Sequence, residues 1–205
     1  MARRGRPRSF NREDALSQSM EVFWALGYEG ATLTALQEAM GGITAPSFYA
    51  AFGSKEKLFR EAVELYSKTL GAPMMQTLAE APTARVSIAA LLQNAVGIFC
   101  RPGKPRGCPL VLGASTKISA NKNVQDHVRG LRARRKKVIE ERLRRGVAEG
   151  ELPAALDLKA VASFYTTVVD GLAIQARDGA SRKALMFAVR CAMAAWDTLV
   201  TEVCA

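Results

Sequence analysis

Histidine is almost missing from this 205-residue chain, which holds one, His127. No Ser or Cys stands at a spacing that would make His127 half of a nucleophilic pair, and it lies in a basic stretch where a solvated side chain is expected. Acids are scarce as well, 19 against 29 Lys and Arg. The adjacent Glu140 and Glu141 would point to different sides of a helix, so they form no catalytic pair. Nothing else clusters titrating groups, and no enzyme, cofactor or metal site is expected. The four cysteines, Cys100, Cys108, Cys191 and Cys204, show no C-x-x-C spacing and read as buried thiols in a reducing compartment. Long apolar runs are missing too. The most apolar segment, SIAALLQNAVGIFC (87–100), is interrupted by Gln93 and Asn94 and is too short to span a bilayer. The N-terminus carries positive charge with no apolar run behind it, which argues against a signal peptide. The cytoplasm is the expected location, with no membrane partner.

What remains is a basic, half-apolar chain. Its formal net charge is +10 and its pI near 9.8, which points to an anionic partner, nucleic acid before a membrane surface. Apolar residues are 49% of the total, enough for a sizeable core. β-branched runs are rare, and the periodicity reads as an all-α fold. Helices are predicted over 12–26, ended by Gly27; over 33–40, capped by Thr32 and ended by Gly41 and Gly42; over 45–51; and over 55–69, with Gly71 and Pro73 beyond it. Downstream, helices are predicted near 83–100, 109–119, 124–149, 157–178 and 181–202. RPGKPRG (101–107) is a loop, and Pro153 breaks the chain between the 124–149 helix and the next.

The stretch ITAPSFYAAFGSKEKLF (43–59) carries the functional signal. With Thr44 as N-cap, Pro46 falls in the first turn, where its missing N–H has no intrahelical partner anyway. The helix it opens has about two turns and must be held by packing. Phe48 and Phe52, four apart, supply that anchor. The other side carries Thr44, Ala45, Ser47 and Ala50, small or hydroxylic groups that permit close approach. Ser54 caps the next helix, whose first turn then carries Lys55 and Lys57 against the helix dipole; an external phosphate would remove the conflict. A helix, a Gly-Gly turn and a short small-faced helix make a helix-turn-helix.

The register Thr32, Gly42, Ile43, Thr44, Phe48-Tyr49, Phe52 and Ser54-Lys55-Glu56 resembles the DNA-binding signature of TetR-like transcriptional regulators, the tetracycline-repressor family. Ala50 and Ala51 depart from it, standing where that family often has Arg or Lys and His or Tyr. The resemblance implies that Thr44, Ser47 and Tyr49 touch DNA, that Thr32 and Lys55 meet phosphates, and that Ala45 and Pro46 face base edges. With no Arg, Asn or Gln on that face, thymine-methyl contacts, hydroxyl bonds and DNA shape carry the specificity. The arm MARRGRPRSFNR brings Arg3, Arg4, Arg6 and Arg8, slim and extended enough for a minor groove.

The expected organisation is a basic arm and helix-turn-helix domain over 1–54, a connecting helix over 55–70, and an effector-binding and dimerisation domain over 71–205. Residues 101–145 hold 14 Lys and Arg against three acids. RGLRARRKKVIEERLRR (129–145) reads there as a solvated basic helix face. The last two helices are apolar over a wide sector (Leu158, Val161, Phe164, Tyr165, Val168, Val169, Leu172), more than a monomer can bury. The resemblance implies a homodimer through them, reading a pseudo-palindromic double-stranded operator. It also implies an interior pocket for an unknown small-molecule effector, with Met74, Phe99, Cys108, Leu110, Leu112, Phe164, Tyr165 and Trp196 as candidates. The function implied is a ligand-released repressor. Two other readings stay open: an architectural DNA binder without an effector, and a thiol sensor in which Arg106 and a helix start lower the Cys108 pKa.

Overall fold

A computed structural model describes residues 11–112 and 122–201. The arm with Arg3, Arg4, Arg6 and Arg8, most of the 109–119 helix, and Cys204 lie outside the described residues. Among the described residues there is no strand and no helix long and apolar enough to cross a membrane. The helices are α1 (Arg12–Gly30), α2 (Leu33–Ala39), α3 (Ala45–Phe52), α4 (Lys55–Tyr66), α5 (Ala72–Glu80), α6 (Ala84–Phe99), α7 (Pro109–Leu112), α8 (Lys122–Ala148), α9 (Leu158–Arg177) and α10 (Arg182–Thr201).

Local chemistry accounts for the ends. Asn11 caps α1, its Oδ1 accepting from the Glu13 N–H at 2.9 Å, and Thr32 caps α2, its Oγ1 accepting from the Ala35 N–H at 3.1 Å. Ser54 does the same for α4, accepting from the Lys57 N–H at 3.1 Å. Gly27 does interrupt α1, with φ +71° and ψ 177°, although one further helical turn follows before Ala31.

The sequence pattern does not reveal α5, because Gly71 and Pro73 read as the end of the preceding helix. In the fold α4 runs into a π-helical turn over Ser67–Gly71 and then directly into α5, so the chain stays helical through Pro73. Proline is tolerated in a first turn, and the wide turn before it absorbs the altered ladder.

In the head, α1 packs along α4. Phe59 receives Phe23 at 5.1 Å and Tyr28 at 5.2 Å, both edge to face. In the body, α6 and α9 lie at the centre, with α8 against both and α10 against α6 and α9. Head and body share one continuous core. Trp24 of α1 is buried, meets Tyr66 of α4 at 5.1 Å, and donates from Nε1 to the Gly107 carbonyl at 3.1 Å. Gly107 has φ +82°, and a Cβ there would sit 2.7 Å from the Ala173 carbonyl oxygen, so only glycine lets this loop pass so close to α9. Arg177, at the end of α9, donates to the Trp24 and Ala25 carbonyls at 3.1 and 2.7 Å. These bonds satisfy carbonyls exposed where α1 breaks, and they tie the head to the far end of the body.

The 129–145 segment is not simply a solvated face. Val124, Val128, Ile139 and Leu143 of α8 are buried, and Arg135 and Arg142 fall on that same face. Arg135 pairs with Asp170 of α9. Arg142 donates from Nε to Ser87 Oγ at 2.8 Å and pairs with Glu151 at 3.4 Å. The cysteines also differ from expectation: Cys108 is buried, Cys100 half-buried, and Cys191 exposed.

Candidate nucleic-acid interface and interior cavity

The turn before α3 is built to fix one orientation. Gly41 and Gly42 take φ of +84° and +78°, the left-handed region that most side chains avoid. Gln37 Nε2 then donates to the Ile43 carbonyl at 2.9 Å, tying α2 to the turn. Thr44 caps α3, its Oγ1 accepting from the Ser47 N–H at 3.4 Å and standing 3.0 Å from Ser47 Oγ. Pro46 occupies the first turn, as its spacing predicted.

Two aromatic rings hold this short helix down. Phe48 is 0% exposed and Phe52 3%, and their rings are 5.9 Å apart. Arg12 closes the outer edge of Phe52, with its guanidinium 4.8 Å from the ring centre, and pairs with Glu61 at 2.6 Å. The opposite face looks out. Thr44, Pro46 and Tyr49 are exposed and Ala45 and Ser47 half-exposed. Tyr49 keeps 52% of its surface accessible while its ring leans on Phe48 at 5.3 Å. Thr32, at the start of α2, is exposed on the flank.

Lys55 departs from a simple exposed cation. Its Nζ lies 4.6 Å from the centre of the Tyr28 ring. Burial pushes its pKa down, opposed by the nearby Glu29 carboxylate. Lys57, in the same first turn, is exposed and runs along Gly53.

The body holds a cavity of about 320 Å³ between α4, α5, α7 and α8. Met74, Phe99, Cys108 and Leu110, four of the residues expected from sequence, line it. Leu112, Phe164, Tyr165 and Trp196 do not: the aromatic trio packs where α9 meets α10, Tyr165 donating to the Ala192 carbonyl at 3.3 Å. Burial there drives the Tyr165 phenol up to about 12. Tyr66, Met75, Leu131, Arg134, Arg135 and Val138 also line the cavity and were not anticipated. For α8 the signal was in the sequence. The apolar positions 124, 128, 131, 138 and 139 mark the inward face, and 135 falls on it.

Cys108 does not become acidic. Burial pushes its pKa up, and the pull of Arg135 only partly opposes this. Arg106, expected to lower it, points away instead and donates to the Ala176 carbonyl at 2.7 Å. The Tyr66 hydroxyl lies 3.5 Å from Cys108 Sγ, and burial raises the phenol strongly too. His127 is also less solvated than expected. Its Nε2 is buried, and burial, reinforced by Arg60, pushes its pKa down. Among the described residues no cluster of His, Cys, Asp and Glu could hold a metal ion.

A buried-aromatic scaffold that presents a small-faced helix beyond a tight turn, on an all-helical body with a half-open cavity, defines a helix-turn-helix DNA-binding regulator. Comparison with known proteins narrows the class. Residues 15–62 match the family described as bacterial regulatory proteins, tetR family, and residues 82–192 match the tetracyclin repressor-like C-terminal domain. The HTH-type transcriptional repressor ComR of Escherichia coli K12 is 30% identical over 198 residues, 96% of this chain and 94% of that protein. BdcR, a second such repressor of E. coli K12, is 26% identical over 97% of this chain and 95% of its own. A cysteine mutant of the TetR-family regulator CifR, solved with a 26-bp double-strand operator DNA, is 46% identical. It superposes with a TM-score of 0.90 over 93% of this chain and 100% of its own. The chain belongs to the tetR family: it is a DNA-binding transcriptional regulator, not an enzyme.

Proposed function

We propose that this protein is a homodimeric repressor that holds a pseudo-palindromic operator and releases it when a small molecule enters the body. The observation that carries the reading is the outward face of α3. Thr44, Ala45, Pro46, Ser47 and Tyr49 are presented by a helix whose other side is sealed by Phe48 and Phe52. Such a helix can enter a major groove without moving relative to its support. Thr32 and Lys55 flank it and meet phosphates, the arm arginines reach the minor groove, and CifR, so similar throughout, is solved on operator DNA. Lys55 gives up its place on the Tyr28 ring or shares it with a phosphate, and Lys57 stands beside it.

The dimer runs through α9 and α10. On α10, Ala184, Phe187, Ala188, Cys191 and Ala194 are all exposed and recur at intervals of three and four, so they form one stripe. Phe187 is 58% accessible, and on α9 Ile174 is 44% and Phe164 37%. A copy related by a two-fold axis covers such a stripe with itself. Residues 1–54 then form the reading domain, 55–70 its connector, and 71–205 the effector and dimer domain. Two reading helices set about 34–36 Å apart would meet successive major grooves.

Footprinting of the DNA upstream of the protein's own gene tests the reading. Protection of a short inverted repeat is expected. Failure of the purified protein to hold any duplex at low ionic strength overturns it.

A further inference from the structure

The groove between α5, α6 and α10 faces two cations that the fold does not use. It is open, has a volume of about 640 Å³, and shares only Met74 with the lining of the smaller cavity. Arg101, just past the end of α6, and Arg182, the first residue of α10, both line it. Neither guanidinium has an ion pair or a hydrogen bond among the described residues, and no acid stands in the wall. Other arginines of the body are engaged: Arg106 and Arg177 hold carbonyls, and Arg135 and Arg142 hold carboxylates. Two like charges on one concave surface focus a positive potential there. The Gln93 and Asn94 amides of α6 line the same groove and make no side-chain hydrogen bond among the described residues.

Gly97 adds a second observation. It lies one turn beyond Gln93 on the same side of α6 and also lines the groove. Glycine in the interior of a helix weakens it relative to alanine. Nothing lies within 4 Å of the position a Cβ would take at Gly97, so close packing does not demand a glycine. Its effect is to leave room in the groove. Arg182 and Met186 are four apart and share a side of α10, away from the exposed stripe of Ala184, Phe187, Ala188 and Cys191 that the dimer would cover. The groove thus stays open in the dimer.

We infer that this groove is a second binding site, separate from the smaller cavity, for an amphiphilic carboxylate. Arg101 and Arg182 hold the head, the Gln93 and Asn94 amides donate to it, and the apolar tail lies along Leu70, Pro73, Ile98 and Met186. The sign of the head follows from the wall, which offers two cations and no acid. Its shape follows from the donors, since the two oxygens of a carboxylate match the fork of an arginine. The tail follows from the remaining lining, and the volume lies within the range of small-molecule sites.

Calorimetric titration of the full-length protein with three probes of equal chain length decides the matter: octanoate, 1-octanol and octylammonium. Octanoate is expected to bind about ten-fold more tightly than octanol, the worth of one hydrogen bond from a charged donor, and octylammonium not to bind. The double substitution Arg101→Gln with Arg182→Gln changes two exposed side chains, so the fold should hold while octanoate loses its advantage over octanol. Gly97→Leu places a side chain in the open space and should abolish octanoate binding without lowering the melting temperature. Ala72→Phe, which narrows the smaller cavity from an exposed position, should leave octanoate binding unchanged. Equal affinity for octanol, binding of octylammonium, undiminished octanoate binding to the double variant or to Gly97→Leu, loss of it in Ala72→Phe, or no binding of octanoate at all overturns the inference.

Discussion

The head and the body use the same kinds of side chain to opposite ends. In the head, Phe23, Phe48, Phe52 and Phe59 are all at or below 3% exposure, and they leave α3 nowhere to move. Where α4 reaches the body, Tyr66 and Phe99 are also deeply buried, yet together with Met74 and Leu110 they line a half-open cavity of about 320 Å³. The head needs a rigid reading helix, because half-site spacing on DNA is set by geometry. The body has room, and on the proposed reading a small molecule would use it by binding one of two arrangements better than the other. Trp24 joins the two: its ring meets Tyr66 at the cavity wall in a T-shaped contact, and its Nε1 holds the loop that leads to Cys108.

Substitutions that treat the two regions alike should therefore give different results. The largest effect is expected from Phe48→Ala. It removes a ring that is 0% exposed from a helix too short to stand alone, at a cost of about 3–5 kcal/mol. Thermal denaturation should show the loss, and operator binding should vanish with it. Tyr49→Ala, one residue along but facing out, should leave the melting temperature nearly unchanged and weaken operator binding by about 1–3 kcal/mol per half-site. If Tyr49→Ala destabilises the fold as much as Phe48→Ala, the assignment of inner and outer faces is wrong. Trp24→Phe keeps most of the packing but leaves the Gly107 carbonyl without its donor, a loss of about 1 kcal/mol in denaturant midpoints. Its sharper readout is coupling: ligand should still bind, with a weaker effect on DNA.

The smallest effect concerns pH. The His127 pKa is lowered from 6.5 in the folded chain, so the unfolded chain takes up its proton first. Stability is then fully present above the unfolded value and declines as pH falls through about 6.5 toward the lower folded value. His127→Gln should flatten that part of the stability profile while leaving the plateau above pH 7 almost unchanged.

The head was far more legible in the sequence than the body. Thr32, Thr44 and Ser54 act as caps within three residues of the groups they satisfy, and glycines at 41 and 42 take the backbone angles that a tight turn demands. Such contacts are local, so spacing alone reveals them. The misreadings were of contacts across the fold. Pro73 opens α5 because a π-helical turn precedes it. Arg135 and Arg142 are buried because Asp170, Ser87 and Glu151 come to meet them from other elements. Arg106 leaves Cys108 alone because the end of α9 offers carbonyls within its reach.

The sequence by itself determined the helical fold, the caps, the turn and the outward residues of α3, since each follows from neighbours a few positions apart. Only the tertiary structure decided which of the candidate side chains meet around a cavity, which arginines lose their water, and that Lys55 rests on Tyr28. Those outcomes depend on burial and on partners distant in the chain, and neither has a fixed spacing from which it can be read.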